Sequence, residues 1–259
     1  MGNPLTFHLD ILGSALTSTL TAWRGCMVVR QAEQPALPLV LYDMEGCPFC
    51  RRVREALSAL QLDVDIRPCP KGGRRFRPEA ERIGGKQLFP LLVDDNTGTV
   101  MYESTDIVEY LFQTYGQRAV PAYYRSRPYQ PVLGSLASAV RGLRGTRVQA
   151  SQCPEKSLSL WSFEGSPYSR PVRERLCELE IPYRLHNLAK EHWTEIGPAV
   201  QRIKPGAYTP LPGGKREVFF GHHQRVQVPY LEDPNTGEGL FESADILRYL
   251  DRRYAVKRS

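Results

Sequence analysis

No stretch of this 259-residue chain approaches the roughly 20 consecutive apolar residues that a membrane-spanning helix needs, so no membrane association is expected. Long runs of one charge are missing too. The 34 Lys and Arg outnumber the 28 Asp and Glu, giving a net +6, but they are dispersed and do not interleave with aromatics. Such dispersal reads as a solvated basic surface suited to small anions, not as a nucleic-acid-binding arm. The first 20 residues contain Asp10 and no Lys or Arg, so the basic start of a secretion signal is absent and a cytoplasmic location is expected. Of six cysteines, only Cys47 and Cys50 are close in sequence, and no second CxxC exists to complete a zinc site. No metal is expected. In a reducing compartment such a pair reads as catalytic, with a bridged iron–sulfur cluster or a merely structural pair left open.

What the chain has is a repeat. Residues 90–111 (PLLVDDNTGTVMYESTDIVEYL) and 229–250 (PYLEDPNTGEGLFESADILRYL) share 12 of 22 positions without a gap. Residues 45–57 (EGCPFCRRVREAL) and 164–176 (EGSPYSRPVRERL) share 8 of 13. A fainter echo precedes both, Leu12-Gly13-Ser14 with Trp23-Arg24-Gly25 against Leu133-Gly134-Ser135 with Leu143-Arg144-Gly145, so each unit is a leading helix plus a compact domain. The offsets, 119 and 139, differ by 20 residues, which predicts an insertion in the second copy. Its expected place is 204–224, rich in Gly, Pro and aromatics: an irregular surface excursion, or a lid. His222-His223 within it is expected at the surface, not on a metal.

The pattern predicts strands at 39–42, 64–67, 91–93 and 99–102, and helices at 47–60 and 104–115. Asp95-Asn96-Thr97-Gly98 is expected to turn a hairpin, with Asn and Gly at positive φ, and Ser104 to cap the last helix. Copy two repeats the order: strands at 158–161 and 183–187, helices at 167–179 and 243–254, a hairpin turn at 234–237. The fold class is α/β: two tandem thioredoxin-like domains, each a mixed four-stranded sheet with flanking helices. The expected division is a helical lead (1–36), a first domain (37–116), a linker with a helix (117–155) and a second domain (156–259).

Cys47-Pro48-Phe49-Cys50 lies between a strand and a helix. Pro48 fits the first helical position, where its missing N–H has no cost. The free N–H groups and the positive end of the dipole favour a thiolate, so Cys47 is expected to be the nucleophile and the deeper Cys50 to resolve the mixed disulfide. Arg51 and Arg52 would add positive potential. Copy two has Ser166-Pro167-Tyr168-Ser169, which cannot exchange disulfides. Ser166 would either donate to a bound thiolate or serve as a cap, and Pro171 would distort the first turn.

A strand, then CPxC or SPxS opening a helix, then Phe-Pro or Val-Pro before a strand, then Glu-Ser opening a helix, resembles the N-terminal domain of glutathione transferases and the related glutaredoxins. The likeness covers 37–116 and 156–255. It implies that Pro90 and Pro229 are cis, that Phe89 and Val228 pair their backbones with the cysteinyl part of glutathione, and that Glu103-Ser104 and Glu242-Ser243 hold the γ-glutamyl end. A serine at a helix N-terminus suits a carboxylate, and the glutamate suits an ammonium. Family members append an all-helical C-terminal domain, for which this chain leaves no room in 117–155 or after 254. The resemblance implies a glutathione-dependent thiol–disulfide oxidoreductase acting on disulfide-bearing proteins with glutathione as co-substrate. Conjugation of glutathione to a small electrophile, or a non-catalytic partner-binding scaffold, stay open as alternatives.

Overall fold

A computed structural model describes residues 4–125, 130–198, 204 and 206–256. Residues 126–129 of the expected linker and residue 205 of the expected insertion lie outside them. The first half runs β1 (Leu39–Asp43), α2 (Pro48–Ala59), β2 (Val64–Pro68), α3 (Arg77–Gly84), β3 (Leu91–Asp94), β4 (Thr99–Met101) and α4 (Ser104–Thr114), after a leading α1 (Pro4–Leu20). The second runs β5 (Leu158–Ser162), α6 (Arg170–Glu178), β6 (Tyr183–Asn187), α7 (Lys215–His223), β7 (Tyr230–Asp233), β8 (Glu238–Phe241) and α8 (Ser243–Arg253), after a leading α5 (Gln130–Val140).

The two expected four-stranded sheets are fused. A single eight-stranded sheet has the order β4-β3-β1-β2-β6-β5-β7-β8. β2 and β6 pair antiparallel through Val64–Leu185, Asp65–Arg184 and Ile66–Tyr183. Each strand would otherwise be an open edge with a row of unpaired backbone groups. An Arg184–Asp65 ion pair of 3.2 Å crosses the seam. One buried apolar cluster runs under both halves, from Leu39, Leu57 and Phe112 to Leu158, Leu176 and Leu250.

The leaders cross over. α1 packs on α6, and α5 packs on α2. Ser18 Oγ donates to the Gly165 carbonyl at 3.0 Å, and its counterpart Ser138 donates to the Gly46 carbonyl at 2.8 Å. Ser18 and Ser138 are 120 apart in number, so the Leu-Gly-Ser echo, offset by 121, is one residue out of structural register.

Three further expectations are corrected. α7 is the counterpart of α3, because Gln224 and Gly85 both end their helices at positive φ, 139 residues apart. The extra chain therefore lies at 191–214, before α7, not at 204–224. Its described residues include a one-turn 3₁₀ helix (Trp193–Glu195), where Glu195 accepts from the backbone N–H groups of Glu191 and His192 and from the Tyr208 hydroxyl. Next, α6 starts at Arg170, three residues later than expected from position 167, because Pro171 has no N–H to close the first turn. Finally, Ser104 makes no side-chain cap; it is the first helical residue, and Glu103 sits before it at φ 65°.

The hairpin also differs. Gly98 has φ 68°, but Asn96 does not have positive φ; it is held by its side chain. Asn96 Oδ1 accepts from the Leu37 N–H at 2.8 Å, and its Nδ2 donates to Asp94 Oδ1 at 2.8 Å. Asp94 Oδ2 accepts from the hydroxyls of Tyr110 (2.6 Å) and Tyr115 (2.5 Å), clamping the hairpin to α4. Asp233, Asn235, Tyr249 and Tyr254 repeat the clamp. Replacing Asp94 by Ala should cost about 2–3 kcal/mol of unfolding free energy in urea, from charged hydrogen bonds lost. A loss below about 0.5 kcal/mol would remove the clamp from the account.

Candidate functional site

β1 ends at Asp43, and a turn closed by the Cys47 N–H on the Met44 carbonyl (2.9 Å) delivers Cys47 to the N-terminus of α2. Cys47 is 8% exposed and Cys50 is fully buried. α5 lies across this turn: a Cβ on Gly134 would come within 2.7 Å of the Pro48 Cβ, so only glycine fits there.

The two thiols are electrostatically unequal. The Cys50 S–H is the largest influence on Cys47, stabilising its thiolate; burial opposes it, and the N–H groups of Cys50 and Phe49 add support, for a pKa of about 7. Cys50 moves well above the usual thiol range, first through burial and then because it donates to Cys47. Alkylation of Cys47 by iodoacetamide should therefore follow one ionisation near pH 7, with Cys50 silent, as read by mass spectrometry of digested protein. A midpoint near 8.5, the value of an ordinary thiol, would contradict this.

The remaining expected residues gather at the same end of the sheet. Tyr42 pairs with Leu91 in the antiparallel β1–β3 ladder, so the strand entry at Pro90 lies beside the exit of β1 toward Cys47. The Phe89–Pro90 and Val228–Pro229 peptides are both cis. Arg52 Nη1 donates to Thr105 Oγ1 (3.1 Å) and Ser104 Oγ (3.4 Å), joining α2 to the N-terminus of α4. Glu103 and Glu242, exposed and at φ 65°, place the backbone in a region non-glycine residues avoid, at the same point of both halves.

In the second half Ser166 stands where Cys47 does. Its Oγ accepts from the Ser169 hydroxyl (2.9 Å) and the Ser169 N–H (3.2 Å), the bonding Cys50 gives Cys47. Pro229 enters β7 beside the exit of β5, since Trp161 pairs with Tyr230. Ser243 is the first residue of α8. Pro171 replaces Arg52, so nothing equivalent reaches Ser243.

Sequence reasoning missed a second set of residues. Arg54 Nη1 is 2.7 Å from Asp43, and its Nε donates to Glu164 at 2.8 Å; Arg173 answers with Glu45 (3.1 Å) and Glu164 (3.0 Å). All five side chains are buried, between the two halves. Arg51, expected to face the thiols, instead approaches Glu164 at 3.7 Å. The signal was present: Glu45, Arg51, Arg54 and Glu55 are among the eight positions the short motif repeats, and a repeated charge at a helix face suggests a pairing between copies.

The sequence profile of the glutathione S-transferase N-terminal domain matches residues 41–119 and 160–258. The chain belongs to this family. It is 33% identical over 86 residues to glutathione S-transferase D7 of Drosophila melanogaster, a match covering 33% of this chain and 38% of the fly protein. The chain thus spans well under half the length of that relative. No solved structure matches it. Family membership makes the function glutathione-related, and the matched segments contain both cis prolines and both Glu-Ser pairs. Among the described residues no His, Cys, Asp and Glu cluster fit for a metal occurs, and no helix is long and apolar enough to cross a membrane.

Proposed function

We propose that the first half is a glutathione-dependent thiol–disulfide oxidoreductase, with Cys47 as nucleophile and Cys50 as resolving thiol. The observation that carries this reading is the inequality of the two thiols, one lowered to about 7 and the other raised. In this reading 37–116 and 156–259 are tandem thioredoxin-like domains.

The Cys47 thiolate attacks one sulfur of a substrate disulfide, and the other sulfur leaves as a thiolate that takes up a proton. Cys50 loses its proton and attacks the Cys47 sulfur. That step releases the second substrate thiol and leaves a Cys47–Cys50 disulfide. Two electrons have passed to the substrate. Two molecules of glutathione reduce the protein again and leave as glutathione disulfide. Phe89 and Pro90 offer backbone to the cysteinyl part of glutathione. Glu103 takes its ammonium, and the N-terminus of α4, with Ser104 and Arg52, takes its γ-glutamyl carboxylate. Val228, Pro229, Glu242, Ser243 and Ser166 are the second half's equivalents.

Incubation of the wild type with glutathione and a glutathionylated peptide, coupled to reduction of glutathione disulfide, tests the reading. Multiple turnovers are expected. A rate equal to the glutathione-only background would overturn it.

A further inference from the structure

The two halves differ in the charge around their sites, and the difference suggests what the first site accepts. The crossing leader brings Thr146 and Arg147 against Gly46 and the start of α2: a Cβ on Gly46 would lie 2.3 Å from Thr146 Cγ2. Arg147 and Lys71 sit opposite each other in a parallel bridge, both exposed. Arg77 donates to the Pro70 carbonyl at 2.7 Å, and its guanidinium lies 4.8 Å over the ring of Phe89, the residue before the cis proline. Three cations therefore rim one site. Among the described residues none of them has a carboxylate partner. The nearby acids are engaged elsewhere: Glu79 with the Tyr42 hydroxyl, Glu180 with the N–H groups of Arg74 and Arg75.

The second half has one of the three positions uncharged and the other two cations engaged by its own chain. Met27 replaces Arg147, and Met27, Val28 and Val228 pack on the apolar cluster of Cys26, Phe163 and Ala189. Arg216 replaces Arg77 but is buried and paired with Glu195 at 3.4 Å. Lys190 replaces Lys71, and its ammonium donates to the Glu195 and Gly197 carbonyls at 2.8 and 2.6 Å. The chain around Glu195 thus supplies a carboxylate to Arg216 and backbone acceptors to Lys190, which the first half leaves without such partners.

We propose that the first site selects acidic partners: a disulfide or mixed disulfide flanked by Asp or Glu, whose carboxylates meet Arg147, Arg77 and Lys71. This inference rests on the oxidoreductase reading for its chemistry, but its test reads binding alone. Charges on a rim contribute to selectivity and encounter rate, and salt screens them.

The probes are two peptides with a central S-methylcysteine and a neutral dye, one flanked by Asp and Glu, the other by Lys and Arg. Binding is followed by fluorescence anisotropy on the full chain at low salt. The acidic peptide should bind about tenfold or more tightly than the basic one. Arg147→Ala and Arg77→Ala should each lower that ratio about three- to fivefold, whereas Arg252→Ala, removing one exposed charge far from the rim, should leave it within about twofold. Equal binding of the two peptides overturns the inference. So does an equal drop in all three variants, which would assign the preference to net charge. Absence of turnover with every disulfide would instead count against the oxidoreductase reading and leave the binding ratio readable.

Discussion

Replacing Cys47 by Ser should lower the rate of disulfide reduction by a factor on the order of 10³ or more, because the attacking sulfur itself is lost. Cys50→Ser should behave differently. Glutathione can then resolve the mixed disulfide in place of the missing thiol, so reduction of a glutathionylated peptide should fall only on the order of tenfold. Cys50→Ala leaves no side-chain donor to Cys47, so its pH profile should move upward from the midpoint of about 7, whereas the hydroxyl of Cys50→Ser can still donate. A Cys50→Ala profile unchanged in pH would show that the helix N–H groups alone hold the thiolate. The stability consequence has a definite sign. The folded-state pKa of Cys47, about 7, lies below the roughly 8.5 of an ordinary thiol, so the thiolate stabilises the fold fully above about 8.5, and the gain is lost as pH falls through about 7. Reduced wild type should therefore gain stability relative to Cys47→Ser between pH 7 and 9, by roughly 2 kcal/mol. If Cys47→Ser reduces disulfides at the wild-type rate, the nucleophile has been misassigned.

The second large effect is expected far from the thiols. Arg54→Ala should destabilise the protein by about 3–5 kcal/mol, since it leaves the buried Asp43 without its arginine and takes one of two close arginines from Glu164. Against the 5–15 kcal/mol that holds a typical domain together, that is a large fraction. Arg54→Met should be less damaging than alanine because the methylene packing stays. Acid should act through the same cluster. Burial pushes the Glu164 carboxyl up, but Arg173, Arg54, Arg170 and Arg51 together outweigh it and hold the group at about 2. Its contribution is therefore complete above about 4.5 and is lost progressively as pH falls toward 2. Glu164→Gln should flatten the acid limb of a stability–pH curve measured by urea unfolding. A variant curve parallel to the wild type would remove Glu164 from the account.

This seam also explains a repeat that the sequence left without a role, that of Glu45, Arg54 and Glu55 at Glu164, Arg173 and Glu174. In the fold, each copy's charges face the other copy's, so the repetition records a pseudo-twofold interface. Three carboxylates and two arginines cannot be buried unpaired, and across the seam Arg54 meets Glu164 and Arg173 meets Glu45. The misplacement of the insertion has a similar cause. The Gly- and aromatic-rich text at 204–224 suggested a loop, but its second part, Lys215–His223, is a helix whose Phe219 packs against Leu188 and Tyr230 under the sheet. Burial of that face outweighed local composition.

Much was legible without coordinates. Period-two and period-3.6 patterns placed the strands and helices they marked to within a few residues, because burial of one face is written locally, but they left Arg77–Gly84 and Lys215–His223 unmarked. The CxxC between strand and helix located the thiols, and the Glu-Ser pairs and X-Pro steps marked the rest of the site end. Tertiary structure alone decided four things: that β2 and β6 join, that the leaders cross, that Arg52 reaches Ser104, and that Glu195 pairs with Arg216 in one half while Arg77 has no carboxylate in the other. Each of these joins residues from about 50 to 150 positions apart, or depends on which side of a surface a long side chain takes. No local period encodes such pairings. They are selected by counter-charge, by backbone groups that need partners, and by the space one glycine leaves.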